Sequence, residues 1–537
     1  MNVKRFKDPV YGYIAVPEHL CADFIDTPGF QRLRRVSQTG YAPLYPSALH
    51  NRFVHSLGVY HLACLAADSL DGSARLLLDD QESRNRWNGL LETFKLASLL
   101  HDFGHAPFSH AGESFYLQVN GNLEGDLVEA VADDAFGADV SERPKSDQAA
   151  PHEIMSALLS LREFGEKIEN RALFARCITG YKHLHPLETL DHLENILIET
   201  LHSGTIDVDR LDYLIRDAFV VGFDSIAIDY SRLLAGLGMV KVGEGYERCF
   251  HRSALSVLEN VIYARDLEKQ WIQAHPVVLY EQELVKHLIL VSSADELKGG
   301  VSLFDIDALT LKGVQLGNGN TARLISDDDL IVLAKQKIES DLLLQEYFDR
   351  GERRHPIWKS EAQYRMLFEA QLNEQQLVAV DKLESVMSDF IDLYEERQVM
   401  ATLDDAAIDG LKSDLEKFDS LEGSGQEQWK VTKAARCDQL RLLEEIRSYS
   451  LDKSIPFDFA VLRTGGFASG FYAGEIGREK VVFSESVTAT WSSFSKVSCG
   501  LKAESTGART FFMFHKRSDG QAIDAAEFAK FLIRIFS

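Results

Sequence analysis

Apolar side chains recur at intervals of three and four residues through much of the first half of the chain. One series is Leu57, Tyr60, His61, Cys64 and Leu65, and another is Leu190, Leu193, Ile196 and Leu197. Side chains at this spacing share one face of an α-helix, so each series predicts a helix with one buried face. The chain has only 12 prolines, which favours long helices. We therefore expect residues 20–290 to be mainly helical.

Other stretches depart from this helical pattern. Residues 237–250 alternate around a glycine-rich turn and predict a β-hairpin. Residues 121–150 mix acidic residues with glycine and proline, and we interpret them as a surface excursion. Further helices are predicted at 327–350, 361–396 and 404–422. After residue 457, short apolar runs separated by glycine predict several strands, followed by an amphipathic helix at 524–536.

These changes of pattern divide the chain into three predicted regions. The first, residues 1–290, is a helical core. The second, residues 291–450, is helical and partly acidic, and the third, residues 451–537, is a small mixed α/β region of unknown role. The predicted fold class is therefore mainly α, with a small α/β region at the C-terminal end.

Composition narrows the range of functions. With 537 residues, 45% of them hydrophobic, the chain is long enough for more than one domain. A formal net charge of −25 disfavours a broad nucleic-acid-binding surface, although a local basic pocket stays possible. The six cysteines are scattered without a CxxC pair, as in a reduced cytoplasmic protein. Neither a signal peptide nor a membrane-spanning apolar run is evident, so we expect a cytoplasmic protein that does not enter membranes.

The segment HDFGHAPFSH, residues 101–110, carries the clearest chemical signal. His101 and Asp102 offer an imidazole nitrogen and a carboxylate oxygen side by side, a mixed pair that suits a divalent transition metal. His105 follows four residues after His101, and we expect it on the same helical face. A buried salt-bridged pair is the alternative interpretation of His101 and Asp102. Since two ligands do not complete a metal site, we expect His55, in HNRFVHSLG, and Asp209, in TIDVDRLDYLIRD, to supply the others.

Five segments with such motifs occur in order along the chain. They are KDPVYGYIAV, IDTPGFQRLRRVSQTG, HNRFVHSLGVYHLA, LASLLHDFGHAPFSHAGE and TIDVDRLDYLIRD. Together they resemble the HD-domain phosphohydrolases, and among these the deoxynucleoside-triphosphate triphosphohydrolases, over the chain as far as about residue 290. The resemblance implies an HD-domain helical core and a metal-dependent enzyme that releases nucleoside and intact triphosphate after water attacks the α-phosphorus.

The resemblance also implies roles for individual residues. His55, His101, Asp102 and Asp209 would bind a divalent metal, for which Fe, Mn, Ni, Zn and Mg all stay open. His110, paired with Glu113, would donate a proton to the departing 5′ oxygen, and His105 would contact the phosphate beside the scissile bond. The other residues implied to bind the substrate are Gln38, Arg52, His152, Arg210, Tyr213, Asp217, Arg265 and Gln273.

Two positions depart from the family pattern. Gln273 stands where many dNTP-specific members have a tyrosine beneath the deoxyribose, and Thr39 replaces a frequent leucine. Because glutamine can hydrogen-bond a 2′ hydroxyl, selectivity between deoxyribose and ribose stays open.

Two other functions stay open as well: an HD-type phosphodiesterase or single-strand nuclease, and a nucleotide-sensing regulatory protein. We expect a nucleoside triphosphate as substrate. The resemblance further implies a homo-oligomer.

Overall fold

A computed structural model describes most of the chain. The described residues are 2–78, 80–203, 205–224, 226–243, 245–298, 302–316, 319–370, 372–396, 399–420, 427–464, 478–484, 487–494, 510–517 and 522–537. Contacts divide the chain into two compact units. The first comprises residues 1–269, 292–332 and 469–503, and the second comprises residues 270–291, 333–468 and 504–537. These borders differ from the three consecutive regions predicted from the sequence, because later segments return to units begun earlier in the chain.

The first unit is mainly helical. Its α-helices of five or more residues are Pro28–Arg32, Arg52–Ala74, Gln81–Leu100, Glu113–Val119, Leu123–Val131, Asp134–Glu142, Pro151–Phe164, Arg171–Thr179, Thr189–Leu201, Val208–Val221, Tyr230–Ala235 and Leu255–Glu268. Two further helices, Pro276–Lys298 and Asp327–Lys335, cross the borders between the units in the sequence. The mainly α fold class predicted from the sequence is confirmed.

Short polar side chains determine where the helices that carry the site begin. Asn51 precedes Arg52–Ala74 and its side chain accepts a hydrogen bond from the Val54 N–H, while Asp80 does the same for Ser83 before Gln81–Leu100. Asp207 accepts from the Arg210 N–H and so caps Val208–Val221. Each cap satisfies an N–H group that the first turn leaves unpaired, and its loss typically costs about 1 kcal/mol.

The helix Arg52–Ala74 packs against both Gln81–Leu100 and Val208–Val221. Gly58 permits the second contact, because a Cβ atom there would lie 1.9 Å from the Asp212 Oδ1 atom. Apolar side chains such as Val59, Leu62 and Leu99 are fully buried around these helices. The site-bearing helices therefore share one packed core.

Two small sheets accompany the helices of the first unit. Strands Val3–Asp8 and Gly12–Pro17 form an N-terminal hairpin that the sequence analysis did not predict. The predicted hairpin at 237–250 is confirmed as strands Leu237–Val242 and Gly245–His251. Strand Lys480–Ser484 pairs in parallel with Gly245–His251 and is followed by Val487–Thr490. Residues Val314–Gln315 and Thr321–Ala322 form a further short pair.

The second unit combines helices with a four-stranded antiparallel sheet. Its strands, in order across the sheet, are Arg354–Pro356, Phe511–Lys516, Phe459–Arg463 and Ala401–Leu403. Its helices are Leu342–Phe348, Glu361–Phe368, Glu374–Glu395, Asp405–Ser420, Glu427–Lys453 and Ala525–Phe536. One apolar cluster fills its core and includes Trp358, Leu383, Phe459 and Phe528. The predicted strands after residue 457 and the predicted final helix are thus confirmed within the described residues.

Several local predictions were wrong. Residues 121–150 contain two helices with buried Leu127 and Phe136 instead of only a surface excursion. Residues 327–350 and 361–396 are mainly helical, as predicted, but each stretch is divided into two α-helices, by a break after Lys335 and another after Phe368. The helix before the HD motif ends at Leu100, so His101 and His105 do not share a helical face. Gly104 lies against the backbone of Met155, where a Cβ atom would approach to 2.5 Å.

The five cysteines within the described residues are free thiols, as predicted. Within the described part of the chain, no helix is both long enough and apolar enough to cross a membrane.

Candidate metal centre and acid–base cluster

The four predicted metal ligands lie in the first turns of two helices and directly after the end of a third, all in the first unit. His55 lies in the first turn of Arg52–Ala74, and Asp209 lies in the first turn of Val208–Val221. His101 and Asp102 directly follow the last residue of Gln81–Leu100. Helix caps and a helix end therefore place these side chains at one point in the interior.

The donor atoms of these residues converge. His55 Nε2 lies 2.9 Å from Asp209 Oδ1, 3.3 Å from His101 Nε2 and 3.6 Å from Asp102 Oδ2. His101 Nε2 also lies 3.5 Å from an oxygen of Asp102 and 3.5 Å from Asp209 Oδ1. His55, His101 and Asp102 are all buried. The two imidazoles and two carboxylates thus form one compact donor set.

The second ring nitrogen of each histidine is already engaged elsewhere. His55 Nδ1 lies 2.7 Å from Asp212 Oδ2, and His101 Nδ1 lies 2.9 Å from the Ser98 carbonyl oxygen. Such partners fix the ring so that the other nitrogen, Nε2, points into the donor set. This arrangement fits a divalent transition metal ion, because neutral imidazole and carboxylate are ligands that such ions accept together.

Further buried charged side chains contact Asp212, the partner of His55, outside the donor set. Arg216 contacts Asp212 through Nε at 2.9 Å and contacts Asp8 through Nη1 at 2.9 Å. Burial alone raises the pKa of Asp212, but Arg216 and His55 outweigh burial and lower it to about 2. Burial likewise opposes protonation of His55, yet its hydrogen bonds to the carboxylates of Asp209 and Asp212 raise its pKa to about 10. The carboxylates therefore give this pocket a strong preference for positive charge.

A second cluster lies next to the first. His110 Nδ1 contacts the Glu113 carboxylate, and His152 Nδ1 lies 3.0 Å from Glu113 Oε1. The His105 ring stacks on His152 with centroids 4.4 Å apart, and His110 meets both rings edge-on. His105 Nε2 lies 3.2 Å from Asp102 Oδ1. Asp102 therefore touches both clusters.

Burial and neighbouring charges shift the pKa values of the groups in this second cluster in different directions. Burial raises the pKa of Glu113, but its contacts with His110 and His152 outweigh burial and hold the pKa well below its usual range. Burial lowers the pKa of His152, whereas Glu113 raises it overall. His105 has its pKa lowered by burial and by Arg52. The pair His152–Glu113 therefore favours a charged imidazole, and His105 favours a neutral one.

Arg52 connects the two clusters. Its Nη1 lies 2.8 Å from Asp102 Oδ2, its Nε donates to Ser109 Oγ at 2.9 Å, and its Nη2 lies 3.5 Å from His110 Nε2. Asp102 thus forms a buried salt bridge with Arg52 in addition to its contact with His101, and both coexist with the His/Asp donor set.

Asp217 and Gln38, which the resemblance implies bind the substrate, form a third group with His50. Asp217 is buried and its Oδ1 lies 2.8 Å from His50 Nε2. The Gln38 backbone N–H donates to the His50 carbonyl oxygen at 3.1 Å. Gln38 Oε1, Thr39 Oγ1 and His50 Nδ1 are buried atoms for which the described residues supply no hydrogen-bond partner. Buried polar atoms of this kind favour a site that binds a polar ligand.

The remaining predicted substrate-binding residues are Arg210, Tyr213, Arg265 and Gln273. Burial raises the pKa of Tyr213, and Arg210, Glu268 and Arg265 act on its hydroxyl, so both arginines lie near Tyr213. Gln273 ends the short helix Lys269–Gln273 and belongs to the second unit. Its part in substrate recognition stays a prediction.

Two residues of the candidate site were not predicted from the sequence. Asp212, the partner of His55, lies three residues after Asp209 and therefore on nearly the same helical face. That spacing was a usable signal. His50, the partner of Asp217, lies two residues before Arg52, but nothing local indicates that residue 217 lies beside it.

Comparison with known proteins agrees with this geometry. Residues 52–178 match the HD domain family, and this match confirms the resemblance to HD-domain proteins that the motifs indicated. The uncharacterized protein MG461 of Mycoplasma genitalium is 31% identical over 268 residues, which cover 49% of this chain and 55% of that protein. The Dictyostelium discoideum homolog of the deoxynucleoside triphosphate triphosphohydrolase SAMHD1 is 30% identical over 233 residues, covering 43% of this chain and 39% of that one.

A solved structure of a hypothetical protein from Aquifex aeolicus matches 99% of this chain and all of its own, with a TM-score of 0.54 and 21% identity. This likeness shows a common fold. The chain spans about half the length of the first two curated relatives it matches.

Proposed function

We propose that this chain is a metal-dependent phosphohydrolase that cleaves deoxynucleoside triphosphates at the α-phosphorus and releases nucleoside and triphosphate. The observation that carries the proposal is the contact between a His/Asp donor set and a separate His110–Glu113–His152 cluster through Asp102 and Arg52. Hydrolysis of this kind needs a site that activates water and an acid for the leaving oxygen, and the two clusters supply these separately. Similarity to proteins named as dNTP triphosphohydrolases favours the same substrate class.

His55, His101, Asp102 and Asp209 would hold the divalent ion. When bound, such an ion acts as a Lewis acid on phosphate oxygens and lowers the pKa of water. Asp212 and the Ser98 carbonyl would hold the two imidazoles in the orientation required, as they do in the structure. The identity of the ion is open, because this donor set accepts Fe, Mn, Ni, Zn or Mg.

His110 would act as the general acid. Glu113 contacts its Nδ1, which leaves Nε2 to give a proton to the 5′ oxygen as the bond between that oxygen and the α-phosphorus breaks. An alkoxide is a poor leaving group, so protonation during bond breaking is worth a factor of about 100–10,000 in rate. Arg52 faces the same point and would contact a phosphate oxygen there.

The other charged groups would bind the rest of the substrate. His105 and His152, stacked beside Glu113, would contact phosphate, and Arg210 and Arg265 would bind the polyphosphate near Tyr213. Asp217 and Gln38 would contact the sugar, with Asp217 accepting a hydrogen bond from the 3′ hydroxyl. We further propose that Gln273 and Thr39 permit a 2′ hydroxyl, so ribonucleotides belong in the substrate panel. A homo-oligomer in the cytoplasm stays our expectation.

A substrate panel tests the proposal. The purified chain is assayed with the four dNTPs and four NTPs in the presence of Mn²⁺, Fe²⁺, Ni²⁺, Zn²⁺ or Mg²⁺, and the products are separated. We expect triphosphate and nucleoside from at least one nucleotide. Monophosphate with pyrophosphate would contradict cleavage of the 5′ oxygen bond, and degradation of single-stranded DNA without nucleotide hydrolysis would favour a nuclease.

The variant His110→Gln tests the acid. We expect its kcat to fall at least about 100-fold, while the metal content stays that of the unmodified protein. His185→Gln is the matched control, since His185 is exposed and its Nε2 lies 3.2 Å from the exposed carboxylate of Glu142. An unchanged kcat in His110→Gln would remove His110 from this role.

A further inference from the structure

A carboxylate far along the sequence from the HD motif joins two loops of the site. Asp327 is the first residue of the helix Asp327–Lys335 and is 4% exposed. Its Oδ1 accepts a hydrogen bond from the Phe108 N–H at 2.6 Å, and its Oδ2 accepts one from the Ser37 N–H at 2.9 Å. Both donors are backbone groups, so the carboxylate fixes the path of the chain at two separate places.

One of these places is a strained turn. Phe108 and Ser109 have φ angles of 58° and 54°, in the left-handed region that residues with a Cβ atom adopt rarely. Two consecutive residues keep such a conformation only where surrounding contacts determine it. His110 follows directly, so the turn sets the position from which the proposed acid reaches the substrate.

The second place, the backbone of Ser37, is also bonded to the strained turn. The Ser109 hydroxyl donates to the Ser37 carbonyl oxygen at 2.5 Å and accepts from Arg52 Nε at 2.9 Å. Arg32 adds a parallel connection, since its guanidinium donates to the carbonyl oxygens of Ile325 and His105 at 3.0 and 2.8 Å. The segment before Asp327 is therefore tied to the loop that carries His105 and His110.

We propose that Asp327 is a positioning residue for His110, because its two oxygens hold the left-handed turn at Phe108 and Ser109 against the backbone of Ser37. The proposal rests on the proposed function for the role of His110. Asp327 thereby joins the proposed catalytic site from a position nearly 150 residues after residue 178, the last residue that matches the HD domain family.

The chemistry requires a carboxylate at this position. Two N–H groups point at it from different loops, and only an ionised carboxylate offers an acceptor to each. An asparagine would direct its own N–H₂ group at one of them and leave that donor unpaired. Burial raises the pKa of Asp327 to about 6, although the N–H groups of Phe108 and Ser37 lower it. The carboxyl group is therefore ionised at neutral pH.

The variant Asp327→Asn, in the full-length metal-loaded protein, tests this role. We expect kcat to fall at least tenfold, while KM and metal content stay within twofold of the unmodified protein. Asp328→Asn is the matched control, because the neighbouring side chain is exposed and contacts Arg35 at 3.3 Å; we expect its kcat to be unchanged. A kcat for Asp327→Asn equal to that of the control overturns the proposal.

A second substitution separates positioning from general destabilisation. Asparagine adopts the left-handed region more readily than phenylalanine, so Phe108→Asn added to Asp327→Asn should restore part of the lost kcat. No restoration in a folded double variant would show that the turn is not what Asp327 supports. If Asp327→Asn does not fold, Asp327→Ser replaces it, since serine places no amide donor against the two N–H groups.

Hydrogen exchange keeps the test independent of the substrate. In Asp327→Asn we expect faster exchange at the amides of Phe108 and Ser37, with exchange in the helix Arg171–Thr179 unchanged. Unchanged exchange at both amides overturns the anchoring itself. Faster exchange in a chain that hydrolyses no nucleotide would instead support the anchoring and refute the proposed function.

Discussion

At the scale of single residues, the partner of one ring nitrogen decides what a histidine can do with the other. His55 and His101 have Nδ1 engaged by Asp212 and by the Ser98 carbonyl, so each directs Nε2 into the donor set. His110 has Nδ1 against Glu113, and its Nε2 faces Arg52 instead. The three residues are chemically identical, and from their different surroundings we propose metal binding for two of them and proton transfer for the third.

His50 gives a prediction at this scale. Its Nε2 lies 2.8 Å from Asp217 Oδ1 with both side chains buried, so it orients the carboxylate proposed to bind the 3′ hydroxyl. We expect His50→Ala to raise KM for the nucleotide about tenfold, which corresponds to about 1.4 kcal/mol. Steady-state kinetics with the best substrate of the panel measures the change.

The control for His50 is His19→Ala, a substitution of an exposed histidine in the same unit. Its KM should match that of the unmodified chain. A His50→Ala variant with normal KM and normal binding of the nucleotide would contradict the assignment of Asp217 to the sugar, because an unsupported buried carboxylate should not keep its geometry.

At the scale of elements, periodicity predicted helices well and their ends poorly. The helix before the HD motif was expected to continue to His105, but it ends at Leu100 and a turn carries His101 and Asp102. Gly104 permits that turn to approach the backbone of Met155. Spacing along one helix cannot reveal such a contact with another, which is why the helical face predicted for His101 and His105 was wrong.

A pair of charges between two helices supplies a pH-dependent prediction. His202 ends Thr189–Leu201, and its Nδ1 lies 3.0 Å from Oε1 of Glu153 in Pro151–Phe164. Burial lowers the pKa of His202, but Glu153 outweighs it and raises the pKa to about 9. Since this value exceeds about 6.5, the value of an unfolded histidine, the pair stabilises the fold fully below pH 6.5 and loses that contribution as the pH rises through 9.

Urea unfolding of the unmodified chain and of His202→Gln checks this prediction. The unmodified chain should be the more stable of the two at pH 6, and the difference in free energy of unfolding should shrink by pH 9.5. His185→Gln, which alters an exposed pair with Glu142, should show no such trend. A difference between the chains that stays constant from pH 6 to pH 9.5 would contradict the pairing of His202 with Glu153.

At the scale of the whole molecule, the site gathers residues that are far apart in sequence. Ordered motifs made His55, His101, Asp102 and Asp209 predictable, because each stands in a distinctive local context. Asp327 stands in no such context, and it reaches the site only because residues 292–332 return to the first unit. The parallel pairing of Lys480–Ser484 with Gly245–His251 was unpredictable for the same reason. Long-range returns of the chain leave no local pattern in the sequence.

The proposed metal site would couple ion binding to the stability of the folded chain. An ion that binds only the folded chain, and whose free concentration is about 100 times its Kd, stabilises the fold by about 2.7 kcal/mol. We therefore expect EDTA treatment to lower the melting temperature by several degrees and added Mn²⁺ to restore it. Asp209→Asn should largely abolish the response, since it removes the carboxylate 2.9 Å from His55 Nε2. His110→Gln should keep the response, because His110 belongs to the neighbouring cluster. Equal responses in Asp209→Asn and in the unmodified chain would place the stabilising ion elsewhere.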